Sequence, residues 1–384
     1  MARLKRRADG KAWLFAPPVP EFRSAFNAPM SKPYFSILLP TKNRSEILPG
    51  AIQSVLNQTC RDFELIISDN DDSATATRDA VAQFNDSRIR YCRTSGNLAM
   101  HENWDNAFLQ ATGQQVLVLE DKMRLVPNAL EILREHLGRE GTLVSFPVTF
   151  VKDASLPAVP TPVTGDRWES KAIVDDFTRF VPRAFDQIPK GLDCCASREL
   201  LARIKAESPT GFLFSHVCPD YSFGFMVLSR LEGIVHLHTP LIYVPNNWMW
   251  AGKYSNGQAT YKKDAIIRRF VQQLPVTPED IIAHVPVKAR YLWINMVLFD
   301  FFTKYRRAGH QPVVDWAAYH AFVMTLILLG RKLGGDMAEE SQAVRASLRQ
   351  RGFGFRLKVY FKFVLQLWRN FWRTIGGRLA TRRA

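Results

Sequence analysis

Cysteine is scarce in this chain, with five in 384 residues: Cys60, Cys92, Cys194, Cys195 and Cys218. An odd count, one vicinal pair and no C-x-x-C spacing argue against a disulfide framework and a thiolate zinc site. The thiols are therefore expected to be reduced and packed. Histidine is sparse as well; no H-x-x-x-H pair occurs, and His236 and His238 alternate within a strand-like run that marks them as structural. No Gly-rich phosphate loop is present. The longest apolar run, around Trp316 to Gly330, contains His320 and falls short of the roughly 20 residues of a spanning helix. The basic opening, Met1 to Arg7, runs into Pro17-Pro-Val-Pro20 without the apolar core of a signal peptide. Internal repeats and low-complexity blocks are missing too.

Acid is the deficient charge, with 36 acidic against 51 basic residues and a formal net charge of +15. From Arg351 to Ala384 there are nine Lys or Arg and no acid, so this short stretch holds much of the excess. On a helical wheel, Lys358, Lys362, Arg369 and Arg373 share one side. Leu357, Tyr360, Val364, Leu367, Trp368, Phe371 and Ile375 gather opposite. That pattern fits a helix lying on an anionic membrane surface. It also fits a terminal helix packed on its neighbours with a solvated basic edge. A nucleic-acid partner is not expected, because the basic residues lie beside apolar aromatics.

Four regions follow along the chain: a basic flexible leader over 1–32, an α/β domain over 33–260, a helical extension over 261–350 and the basic tail helix over 351–384. Strands are expected at Phe35–Leu39, Glu64–Ser68, Ile89–Cys92, Gln115–Leu119 and Thr142–Pro147. Helices are expected at Lys263–Gln273, Val287–Tyr305 and Trp316–Lys332. The Pro-rich stretch Leu156–Pro162 reads as a surface loop. The first two strands, Phe35-Ser-Ile-Leu-Leu-Pro-Thr and Phe63-Glu-Leu-Ile-Ile-Ser-Asp, end in polar clusters and enclose a helical pattern at Ile47, Ile52, Val55 and Leu56. They form a βαβ unit with parallel strands. Ligands bind beyond the carboxyl ends of such strands, where Thr41, Asn43, Arg44, Asp69 and Asn70 lie. These side chains suit a base and a ribose better than a pyrophosphate.

The order of motifs resembles family-two glycosyltransferases of the GT-A fold. The resemblance rests on Ile37-Leu-Leu-Pro-Thr-x-Asn-Arg44 and Phe63-Glu-Leu-Ile-Ile-x-Asp-Asn70. It extends to Asn97 through Ala107 with Ala111-Thr-Gly113, to Gln115 through Lys122, and to Cys218-Pro-Asp220-Tyr-Ser, covering about residues 34 to 255. It implies a Rossmann-like, mostly parallel mixed sheet flanked by helices, followed here by a C-terminal helical region. The implied activity is inverting transfer of a sugar from a nucleotide-sugar donor to an acceptor hydroxyl, in surface polysaccharide or glycolipid assembly. The alternative is a degenerate, non-catalytic protein that keeps only nucleotide-sugar or glycan binding. A nucleotidyltransferase, on a related sheet, would want glycines after the first strand.

The resemblance places Asp69 on the base, with Pro40, Thr41, Asn43, Arg44, Asn70 and Asn103 in the same nucleotide pocket. Taken alone, Asp69 fits an Asx-turn or helix cap equally. Glu120 and Asp121 fall near the ribose and phosphate. The family ends this acidic triplet on a metal-binding Asp, whereas Lys122 stands there. Three alternatives follow: weak Mg or Mn binding centred on Asp121, Lys122 acting as the phosphate cation, or lost catalysis. Asp220 is the expected general base, with an N-cap role as the competing reading; Asp193 is more readily structural. Trp248 and Trp250 are candidates for stacking on the acceptor and Lys253 for folding over phosphate, although tryptophans of a loop can equally face the core. A cytoplasmic enzyme, peripheral on the inner face of the membrane, is the expected setting.

Overall fold

In the computed structural model, β1 (Phe35–Thr41) and β2 (Phe63–Asp69) are buried along their entire length. Alternation divides their side chains between the two faces of the sheet. Phe35, Ile37, Leu39, Leu65 and Ile67 enter one core cluster, while Leu38 and Ile66 enter another. Between the strands, α1 (Leu48–Leu56) buries Leu48, Ala51, Ile52 and Val55 on one side and carries Pro49 in its first turn, where no N–H is missed. The strands pair in parallel, with Phe35 opposite Phe63 and Thr41 opposite Asp69. The described residues are 32–71, 75–96, 98–137, 142–151, 157–208, 210–214, 217–245, 271–272, 274 and 276–380, with side chains through 369.

The chain next runs outward through α2 (Ala76–Val81) to β3 (Ile89–Arg93), parallel to β2. It returns across the sheet through α3 (Met100–Leu109) to β4 (Gln115–Val118), on the other side of β1. That reversal makes the gap between β1 and β4 a topological switch point. After it come β5 (Arg124–Leu125), α4 (Ala129–His136), β6 (Leu143–Ser145), β7 (Val148–Val151), β8 (Gly165–Glu169), α5 (Ser170–Thr178) and α6 (Ala184–Gln187). Last are β9 (Cys194–Ser197), α7 (Arg198–Glu207), α8 (Pro219–Arg230), β10 (Gly233–Leu237) and β11 (Ile242–Pro245). Among the described residues the sheets are β3-β2-β1-β4-β9-β6-β10-β8 and β5-β11-β7. The larger is mixed: β9 is antiparallel to β4 and β6, and β8 is antiparallel to β10, while the other pairs are parallel.

Helices Pro278–Ala283, Trp293–Lys304, Trp316–Lys332, Ala338–Arg349 and Phe353–Ala380 follow. They share a core with the sheet, because one cluster runs from Leu38 and Phe177 through Phe225 and Phe301 to Tyr319 and Val359. The helix expected over Val287–Tyr305 starts only at Trp293. Asn295 donates its amide to the carbonyls of Val287 (3.1 Å) and Ala289 (2.9 Å), which holds that segment as a turn. The expected helix Lys263–Gln273 lies outside the described residues, apart from Val271 and Gln272.

The tail helix packs and still leaves an apolar face outward. Val359 is fully buried in the shared core, and Lys362 pairs with Asp315 at 3.1 Å instead of facing outward with the other basic residues. On the opposite side Phe353, Leu357, Phe361 and Val364 are all more than half exposed, Phe361 by 70%. Among the described residues no helix is long and apolar enough to cross a membrane. All five cysteines are free, three of them buried.

Candidate active site

The switch point is closed by two turns that meet. After β1 the chain bends through Asn43, whose φ of 56° is a left-handed conformation that Asn tolerates better than most residues; its N–H donates to the Asp71 carboxylate. Pro40 fits within a central strand because it lies past the end of β4. Leu38 turns its carbonyl to Leu119 on that side (2.8 Å), so alternation points Pro40 the same way, beyond the paired residues. After β4 the turn is Glu120-Asp121-Lys122. Asp121 is buried; its Oδ2 accepts from the Thr41 hydroxyl at 2.9 Å and its Oδ1 from Arg44 at 3.0 Å. Lys122 Nζ lies 2.6 Å from Glu120 Oε2. Burial raises the Asp121 carboxyl above its ordinary value despite Arg44 and Thr41. Glu120 is held below its ordinary value: burial opposes this, but the charges of Lys122 and Arg44 prevail.

Beside this turn lies Arg124, which sequence reasoning missed. Its buried guanidinium donates to the carbonyls of Asp121 (3.0 Å), Met123 (2.8 Å) and Ile47 (3.1 Å), and burial lowers it to about 10. It fixes the acidic turn from behind, through carbonyls that no local pattern reveals.

The far flank of the pocket is formed by β2 and β3. Asp69 has no exposed surface. Its Oδ1 accepts from the N–H of Asp71 at 2.9 Å, the Asx-turn alternative, and its Oδ2 accepts from the Tyr91 hydroxyl and from Arg93 at 3.1 Å. Arg93 also donates to the Asp71 carbonyl at 3.1 Å, so this partly exposed cation covers the buried Asp69 corner. Asn70 ties down the following loop, donating to the carbonyl of Leu98 (2.8 Å) and accepting from Thr94 (2.6 Å). Asn103 is buried on α3 and donates to the carbonyls of Thr41 and Ser68, both at 3.3 Å, clamping the ends of β1 and β2 together.

The start of α8 lies within electrostatic reach of the acidic turn. Its N-cap is Cys218, so Asp220 lies in the first helical turn rather than at the cap. It is half-buried and raised to about 6, mainly by loss of water, against the nearby amides and Lys190. The charge of Glu120 raises it further, so the two carboxylates lie near enough to sense one another. Lys190 also pairs with Asp193 at 3.6 Å and lies over the Tyr221 ring. Asp193 accepts from the N–H of Lys190 at 2.7 Å, in keeping with its structural reading.

Two buried acids hold the loop that delivers Asp220. Asp105 on α3 accepts from the N–H groups of Leu213 and Phe214, each at 2.9 Å, and Asp300 on helix Trp293–Lys304 accepts from that of Cys218 at 2.6 Å. The only hint of Asp300 in the sequence is a lone acid inside Trp-Ile-Asn-Met-Val-Leu-Phe-Asp-Phe-Phe. Trp248, Trp250 and Lys253 lie outside the described residues.

A divalent ion fits this site poorly. Each carboxylate of the acidic turn already faces a cation of the protein, Arg44 for Asp121 and Lys122 for Glu120, which a divalent ion would have to displace.

Residues 36–177 match the model of the family described as Glycosyl transferase family 2. The chain carries a family-two glycosyltransferase domain. Over 106 residues it is 36% identical to the GalNAc(5)-diNAcBac-PP-undecaprenol beta-1,3-glucosyltransferase of Campylobacter jejuni, covering 27% of this chain and 34% of that one. Over 97 residues it is 32% identical to the UDP-Glc:alpha-D-GlcNAc-diphosphoundecaprenol beta-1,3-glucosyltransferase WfgD of Escherichia coli, covering 25% and 38%. The alignments thus span little more than a third of these curated relatives. An alignment with the crystal structure of S. aureus TarS 1-349 covers 86% of this chain and 88% of that one, at 15% identity and a TM-score of 0.43. The glycosyltransferase match takes in the turns of Thr41, Asp69 and Glu120. Asp220, Asp300 and the C-terminal helices lie beyond it.

Proposed function

We propose that this chain transfers a sugar from a nucleotide-sugar donor to an acceptor hydroxyl with inversion, with Asp220 as the general base. The observation that carries this reading is the position of Asp220. A carboxylate raised to about 6 lies within electrostatic reach of Glu120, just past the carboxyl end of β4, and a base with a pKa near the working pH is well matched to removing a hydroxyl proton. The donor nucleotide lies along the ends of β1, β2 and β4, between Thr41, Arg44, the Arg93-shielded corner of Asp69, and Glu120.

The acceptor is a lipid-linked glycan at an anionic membrane surface. Two observations support this: both relatives described above are named for diphosphoundecaprenol-linked substrates, and the tail helix keeps Leu357, Phe361 and Val364 exposed while Lys358 and Arg369 flank them. Such a helix would hold the enzyme on the cytoplasmic face with its cleft near the acceptor.

The test is turnover of a nucleotide-sugar panel, UDP-glucose first, with polyprenyl-diphosphate-linked glycans in vesicles, beside Asp220→Asn. Turnover that is lost in the variant supports the reading. Donor binding without turnover on any acceptor would favour a non-catalytic binding protein. Failure to bind every nucleotide sugar would overturn the reading.

A further inference from the structure

The acidic turn is charge-balanced by the protein itself. Glu120 faces Lys122 at 2.6 Å and Asp121 faces Arg44 at 3.0 Å, so each carboxylate has its own cation. A turn ending in a third carboxylate would instead carry excess negative charge, and a diphosphate could approach it only with a divalent ion between them. Lys122 removes that requirement. Its side chain is 26% exposed, and an ammonium offers three donors, of which the ion pair with Glu120 can engage only part. Arg44, 23% exposed, adds a planar fork suited to phosphate oxygens.

We propose that Lys122 and Arg44 form the diphosphate site of the donor and that this site works without a divalent ion. The inference rests on the nucleotide-sugar reading above. In the transfer, the bond between the anomeric carbon and the diphosphate oxygen breaks and its electron pair goes to that oxygen. The acceptor oxygen bonds to the carbon, and its proton goes to Asp220. The charge growing on the leaving diphosphate is met by Lys122, a point cation on a flexible stem that can follow the departing group.

The experiment is calorimetric titration of the full chain with UDP, GDP, CDP and dTDP, and with the matching monophosphates, in EDTA and then in Mn²⁺. At least one diphosphate should bind in EDTA, with affinity changed less than twofold by Mn²⁺. Lys122→Ala should weaken the diphosphate at least tenfold and the monophosphate less than threefold. Lys122→Asp should bind the diphosphate only when Mn²⁺ is present. Melting curves of the variants separate lost binding from lost fold. Binding of the diphosphate by the unaltered chain only in Mn²⁺, or undiminished binding by Lys122→Ala, would overturn the proposal. Absence of any nucleotide binding under both conditions would instead overturn the nucleotide-sugar reading on which it rests.

Discussion

Two carboxylates, Glu64 at the amino end of β2 and Asp220 in the first turn of α8, are held in opposite ways. At the amino end of β2, Glu64 is saturated. It accepts from Ser36 (2.6 Å), from the N–H (2.7 Å) and hydroxyl (2.8 Å) of Thr112, from Gly113 (3.2 Å) and from Arg90 (2.8 Å). Burial pushes it up, but these donors prevail and hold it below the ordinary glutamate range. Gly113 is required there, because a Cβ would lie 2.7 Å from the Phe35 backbone. In the first turn of α8, Asp220 has few donors, and burial prevails, lifting it to about 6. The contrast separates two kinds of residue: Glu64, with Thr112-Gly113, closes the sheet, whereas Asp220, held above its ordinary value, is the one proposed above as the base.

The sharpest break of this comparison is Asp220→Asn. It should cut kcat/KM by about 10²–10⁴-fold, while the unfolding midpoint at pH 8 stays level or rises, because an ionised carboxylate held above its ordinary pKa opposes folding. Loss of stability would put Asp220 in the same class as Glu64. Next comes Glu64→Gln, expected to cost about 2–4 kcal/mol in urea unfolding and to leave nucleotide affinity intact in the folded protein. Being depressed in the fold, Glu64 stabilises fully above the ordinary glutamate range, and its contribution fades as the pH falls through the lowered value. Asp300→Ala should lower kcat about tenfold with donor KM unchanged, since misplacing a reacting group costs rate; Asp300→Asn, which still accepts from Cys218, should recover most of it. In the unaltered enzyme, kcat/KM should fall about tenfold per pH unit below about 6, as Asp220 takes up its proton. The smallest effect is expected at the tail: Phe361→Glu should weaken binding to anionic vesicles about fivefold and leave nucleotide affinity unchanged.

The sheet was legible where its rules are local. Alternating apolar residues and polar strand ends located β1 and β2, and each grew by only two residues in the structure, to Thr41 and Asp69. The start of the helix at Trp293 was not legible, because it depends on an Asn295 side chain capturing carbonyls behind it. At the strand ends, Thr41 and Arg44, placed by the βαβ pattern, meet Asp121, placed by the resemblance, in one network. The partners of Asp69, by contrast, come from Tyr91 and Arg93, 22 and 24 residues away. Asp105 and Asp300 escaped notice for the same reason: their contacts on the Asp220 loop span 108 and 82 residues.

The continuity of the core into the C-terminal helices has a consequence for protein engineering. The family match stops at residue 177, yet Phe177 packs its ring on Phe225 and Phe301 at centroid distances of 5.1 and 5.4 Å. A chimera spliced at the end of the match would cut through this aromatic seam and leave the matched half with a bare apolar wall. Exchange of the region beyond the match between relatives therefore calls for transplanting the helices together with the Asp220 loop, or for changing residues one at a time within the intact chain.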